Sequence, residues 1–150
     1  MAISAAKVYS WVWNLKTNIY DCDDELRRLY RIQHNNPIYA SELLDAIDER
    51  DASNVRAELE NAIVGREDYE AEYRIANSGL WVLSQGKVLE RDENGEALRI
   101  AGVVVDITVQ KKSEEKMELL LRELNHRVKN TLAMLQSIAS QTLKNSRSPE

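Results

Sequence analysis

His126 draws the eye because of what recurs around it at helical spacing. Arg122, Glu123, Lys129 and Asn130 stand at i−4, i−3, i+3 and i+4 from it, so on a helix all four share its surface. An imidazole ordinarily titrates near pH 6.5 and offers a neutral ring nitrogen at pH 7, which suits a nucleophile or an acid–base group. Glu123 is placed to orient the ring or to take its proton. Arg127, one step round the helix, is less directly placed. The same residues also describe an ordinary surface histidine in a charged helix, with Glu123 solvated and Arg127 and Lys129 serving solubility.

The element that must carry His126 is legible from its apolar residues. Met117, Leu121, Leu124, Val128, Leu135 and Ile138, with Thr131 completing the series, recur in steps of four and three, the pattern of a coiled-coil or bundle seam. His126 lies two residues from both Leu124 and Val128, about 200° round the helix from each, and so points away from the seam. Upstream, residues 110–118 carry both charges and no Gly or Pro, which predicts a solvated helix that runs into the His126 helix without a break. Such a rod can pass rotation or a register shift from whatever precedes it. Residues 145–150 read as the start of a loop where a returning helix is expected, so the sequence reads as part of a longer protein.

With 150 residues and a formal charge of −5, the chain suits one domain plus an appendage, and its acidity argues against a mainly electrostatic nucleic-acid or membrane binder. No long apolar run or basic-then-apolar leader occurs, and the single cysteine, Cys22, cannot form an internal disulfide; a cytoplasmic location and no direct membrane contact are expected. Isolated Cys22 and His34 make no metal site, and no phosphate-binding glycine loop is present.

Ahead of the helix, Tyr9, Trp11 and Trp13 alternate with Val8, Val12 and Asn14 in a first strand, followed by a turn at 14–18 and a short second strand through Ile19, Tyr20 and Cys22. A helix over 25–31 is expected to be capped by Asp23 or Asp24, another over 42–47 by Ser41, and a third by Asp51 or Ser53, ending at Gly65. From 67 the period changes to two, giving strands through Tyr69, Ala71, Tyr73 and Ile75, then 80–90 with a bulge at Gly86, then 97–107 after a hairpin turn at 92–95. The prediction is an α+β module with a five-stranded antiparallel sheet and helices over one face, followed by the long C-terminal coiled-coil helix.

Trp11-Val-Trp13-Asn14 at the start, Asp106-Ile-Thr108 after the last strand, and the strand–helix–strand order between them resemble a PAS sensor domain. Residues 119–142, with His126-Arg-Val-Lys-Asn130 followed by Gln136-Ser-Ile-Ala139, are similar to the first helix of the dimerisation and phosphotransfer domain of HWE-type sensor histidine kinases. The resemblance implies a PAS domain over 1–108, a helical linker over 109–118 and a truncated phosphoacceptor helix over 119–150. It implies a homodimer in which ATP, with magnesium, phosphorylates His126, and in which the phosphoryl group passes to an aspartate on a response-regulator receiver domain. Lys129 and Asn130 would contact phosphate or the ATP-binding domain, and Asp106 and Thr108 would relay the signal. That ATP-binding domain belongs to the parent protein, so the present stretch is expected to hold the acceptor and to be inactive alone.

Trp11, Trp13, Tyr73, Trp81, Leu83, Val103 and Val105 are the candidates for lining a sensor pocket, although an aromatic stripe on a strand is more often core. The flavin-adduct chemistry of the light-sensing subclass needs a cysteine in the helical middle, and Cys22 precedes it; haem would call on His34, in a turn before Pro37. Neither cofactor is expected, and the ligand stays open. The alternative function is a PAS dimerisation or ligand-binding module whose coiled coil joins it to a non-kinase output.

Overall fold

A computed structural model describes residues 7–65 and 67–146, which divide into two compact units at the boundary between Thr108 and Val109. In the first unit the alternating stretches form six strands: β1 (Val8–Asn14), β2 (Ile19–Cys22), β3 (Ile38–Tyr39), β4 (Tyr69–Arg74), β5 (Trp81–Arg91) and β6 (Ala97–Asp106). They make one sheet in the order β3-β2-β1-β6-β5-β4, antiparallel throughout. The sheet therefore has one strand more than the pattern predicts. β3 is two residues long, directly after Pro37, and two residues carry no detectable period.

Three helices fill the segment between β2 and β4: α1 (Asp24–Leu29), α2 (Ala40–Asp45) and α3 (Glu49–Val64). The expected cap residue holds for α1 and changes for α2 and α3. Asp23 occupies the N-cap position of α1, yet its carboxylate accepts from the Ser10 N–H and hydroxyl at 3.3 Å. α2 begins at Ala40, after Tyr39 rather than Ser41. Asp48 caps α3, accepting from the Arg50 N–H at 3.0 Å, which frees Asp51 to bond elsewhere. Beyond the far end of α3, the Arg91 guanidinium donates to the carbonyls of Ala62, Ile63 and Gly65, satisfying groups that a helix end leaves open, and also to the Gly95 carbonyl in the β5–β6 turn.

The helix-covered face of the sheet carries Trp11, Tyr69, Ala71, Tyr73, Val82, Ser84, Ile100 and Val104, all buried, and α3 adds Val55 and Ala62. Trp11 lies opposite Gly102 in the β1–β6 register, and Gly102 opposite Gly86 in β5. A side chain at either glycine would collide with the indole: a Cβ at Gly86 would stand 2.9 Å from the ring, and one at Gly102 would stand 2.7 Å from it and overlap the Gln85 carbonyl. Gly86 is thus a seat for Trp11 and keeps regular pairing; the bulge falls two residues later, between Val88 and Glu90. The indole stacks on Tyr20, with centroids 5.4 Å apart, and meets Tyr69 edge-on at 6.2 Å, so one aromatic row crosses the sheet over the two glycines.

The second unit continues α4 (Thr108–Ser146), 39 residues without interruption. Among the described residues, no helix is long and apolar enough to cross a membrane.

Gly102→Ala is expected to lower unfolding stability by about 3 kcal/mol, as for other overpacked cores. Gly95→Ala, in the open β5–β6 turn at φ +81° with nothing near its Cβ, should cost about 1 kcal/mol. Urea titration of the two variants checks the order.

Candidate functional site

His126 and its four helical neighbours Arg122, Glu123, Lys129 and Asn130 all lie on α4, as does Arg127, and all six are solvent-exposed. The opposite side of the same helix is apolar and uncovered: Met117, Leu121, Leu124, Val128, Leu135 and Ile138 retain 49–57 % of their exposure. Leu120, Leu132 and Leu143 flank that seam and are about as open, so the apolar stripe is wider than a strict a/d line. The strict 4-3 step count passed over them; their i+4 relation to Leu124, Val128 and Ala139 was the signal. Among the described residues, no group of three or more His, Cys, Asp or Glu is arranged to hold a metal ion.

In the first unit the sheet and helices enclose a cavity of about 30 Å³, space for one or two waters. Trp11, Trp13 and Tyr73 line it, together with Tyr20, Tyr69, Ser84 and residues of α2 and α3, including Leu43, Leu44, Val55 and Leu59. Trp81, Leu83, Val103 and Val105 do not. Strand residues alternate between faces, and the enclosed face belongs to their neighbours Val82, Ser84 and Val104; Leu83 and Val105 pair on the other face beside Val8. Tyr20, Ser84 and Leu59 were missed because they come from β2, β5 and α3, three elements that no single-strand pattern joins.

The lining is apolar with a few hydroxyls. Tyr30 and Tyr73 hydroxyls are hydrogen-bonded to each other in the interior. Burial drives the phenols of Tyr20, Tyr30 and Tyr73 well above the usual tyrosine range, and pushes Tyr69 up to about 12 against a hydrogen bond from Ser84 that lowers it. The indole N–H of Trp11 is buried and has no hydrogen-bond acceptor among the described residues. Cys22 and His34 are absent from this lining. The His34 Nε2 is engaged instead by the Glu42 carboxylate.

Asp106 and Thr108 close the first unit. The Asp106 carboxylate accepts from the Thr108 N–H at 2.9 Å and its hydroxyl at 2.6 Å, and the Thr108 hydroxyl oxygen accepts from the Trp81 N–H at 3.0 Å. An Asx-type turn thus fixes the first residue of α4 to the first residue of β5.

Residues 19–104 match the family model described as PAS fold. The chain belongs to the PAS-fold family. Residues 123–150, which hold His126, Glu123, Lys129 and Asn130, match the model described as HWE histidine kinase. A blue-light-activated histidine kinase of Brucella ovis is 34 % identical, aligned over 99 % of this chain and 30 % of its own length. The chain therefore spans about a third of the curated relatives it matches. Among solved structures, a sensory box histidine kinase/response regulator from Burkholderia thailandensis superposes with a TM-score of 0.68 at 24 % identity, over 79 % of this chain and 91 % of that one. The N-terminal domain of a diguanylate cyclase with PAS/PAC sensor from Marinobacter aquaeolei gives 0.60 at 20 %, over 70 % and 99 %. These likenesses establish the PAS fold.

In the PAS unit the Cys22 thiol is pushed up to about 11, chiefly by burial and against the opposing pull of Arg27. A thiol so shifted is protonated at neutral pH and loses its proton only as pH rises toward that value. Alkylation by iodoacetamide at pH 8 should run roughly a hundredfold slower than for a free cysteine and accelerate continuously to about pH 11; mass spectrometry of the labelled chain measures it.

Proposed function

We propose that this chain is the sensory and phosphoacceptor portion of a two-component sensor histidine kinase. The observation that carries the reading is the division of α4 into two faces: an exposed histidine with charged neighbours on one side, and an uncovered apolar seam on the other, within a segment that matches the HWE histidine kinase model. A ring nitrogen of His126 attacks the γ-phosphorus of ATP, the bond to the β-phosphate oxygen breaks, ADP leaves, and the imidazole proton passes to Glu123 or to solvent. Lys129 and Asn130, a turn further along the same face, supply charge and a hydrogen-bonding group toward the phosphate or toward the ATP-binding domain, and Arg127 adds positive charge beside it. The phosphoryl group then moves to an aspartate of a response regulator. The seam pairs α4 with its copy in a homodimer, which covers the leucines that a single chain leaves open.

The PAS unit supplies the signal through Asp106 and Thr108. The relatives' name attaches blue light to those proteins. In this chain the residues around the cavity do not fit a flavin held by a thiol adduct. Cys22 stands on β2 outside the lining, while the interior is occupied by Trp11 and its tyrosine neighbours. One or two waters accepting a hydrogen bond from the Trp11 indole agree better with a cavity of about 30 Å³.

With an HWE-type ATP-binding domain and labelled ATP supplied in trans, acid-labile label is expected on this chain and should fall to background in His126→Ala; label that persists in the variant removes His126 from the role and leaves α4 as a connector to another output. Leu121→Glu combined with Val128→Glu should convert the dimer to a monomer by light scattering. A dimer that survives both charges would place the association in the PAS unit instead.

A further inference from the structure

A line of contacts runs from the cavity wall to the first residue of α4, and its central member is Arg74. Asp51, Val55 and Leu59 recur at four-residue steps on α3, so the side of the helix that lines the cavity through Val55 and Leu59 also carries the Asp51 carboxylate. That carboxylate accepts three hydrogen bonds from Arg74: from its backbone N–H at 2.9 Å, Nε at 2.8 Å and Nη2 at 2.8 Å. The pair is largely shielded, with side-chain exposures of 16 % for Asp51 and 24 % for Arg74. Arg74 pairs directly with Trp81 across β4 and β5, and its guanidinium carbon sits 4.8 Å from the centre of the Trp81 ring. Trp81 in turn donates its N–H to Thr108 and accepts from the Ile107 N–H at 2.9 Å.

We propose that Arg74 is a positioning residue that couples α3 to the start of α4, holding Asp51 with its fork and Trp81 with its face. The proposal rests on the reading of the PAS unit as a sensor whose state is reported along α4, and names the route. Displacement of the cavity-lining side of α3 moves Asp51; a planar guanidinium held at two points by one carboxylate follows it and slides over the indole, and the Trp81 backbone holds Thr108. Arginine is required for this. A lysine ammonium has no planar face to lie on the ring and no fork for the carboxylate. The Arg74 charge also holds the Asp51 carboxyl below the usual carboxylate range, mainly through these hydrogen bonds, so the link is ionised at neutral pH.

Hydrogen exchange on the full chain, read by mass spectrometry, tests the route. Asp51→Asn and Arg74→Lys are each expected to speed exchange by at least about fivefold in the peptide covering the start of β5 and in that covering the first turns of α4, with β1 and β2 unchanged. The double variant should be no faster than either single one, since both cut the same line. Trp81→Phe, which keeps an aromatic core neighbour, should reproduce the α4 effect if the larger ring face is what Arg74 uses. Unchanged exchange in α4, a uniform rise across all peptides, or additive effects in the double variant would each overturn the coupling. The readout contains no phosphoryl transfer, so failure of His126 to accept label leaves this result standing, and intact labelling with unchanged α4 exchange removes only Arg74's part.

Discussion

The PAS unit depends on the absence of two side chains. Gly102 and Gly86 lie side by side in adjacent strands, and the flat floor they leave lets the Trp11 indole lie down against the sheet. The aromatic row and the cavity lining are built around that ring. Tyr20 stacks on one side of it, Tyr69 meets it edge-on, and the helices close over the row through Val55, Leu59, Leu43 and Leu44. Because the indole takes the space, the enclosed cavity is small, and because its N–H finds no acceptor among the described residues, the interior keeps one polar demand unmet. A chain with alanine at either glycine would have to stand Trp11 upright, and the stack and the cavity would both be lost.

The strands and the histidine helix were readable because each rests on a period that a single segment displays. Tyr69, Ala71 and Tyr73 alternate with charged residues, and the seam from Met117 to Ile138 steps by four and three. What failed to show depends on pairing between distant segments. β3 is two residues held in place by β2. Asp23 keeps the N-cap position of α1 while its carboxylate bonds Ser10, and the cap of α3 falls to Asp48 because Asp51 is held by Arg74. Of the expected pocket residues Trp11, Trp13 and Tyr73 line the cavity, while Trp81, Leu83, Val103 and Val105 stand on the other face; the enclosed face of β5 and β6 carries Val82, Ile100 and Val104 together with Ser84, Gly86 and Gly102, whose smallness matters only because Trp11 arrives from β1. Both faces of these strands are apolar enough that hydrophobicity alone does not decide the parity.

The two units solve the burial problem differently. The first has a core of its own, with Leu26, Ile38, Val82, Ile100 and Val104 sealed from solvent. The second is a single helix whose 39 residues span roughly 58 Å at the usual rise of 1.5 Å per residue, and nearly half of each seam side chain is already shielded by the helix itself. Isolated helices of this kind gain most of their stability from a partner surface. Charged and polar residues predominate around His126, with Leu119 the apolar exception, so the seam and the His126 side draw on different residues of one rod.

The three tryptophans, finally, make the PAS unit optically legible without any label. Trp11 sits in an apolar interior with no acceptor for its N–H among the described residues, Trp13 donates its N–H to the Asn18 side chain at 3.1 Å at the cavity edge, and Trp81 lies under a guanidinium. An indole's emission shifts with the polarity and charge around it, so the three rings carry three different colours of environment. The chain's ultraviolet fluorescence is a sum of reports from the centre of the core, the rim of the cavity and the threshold of α4.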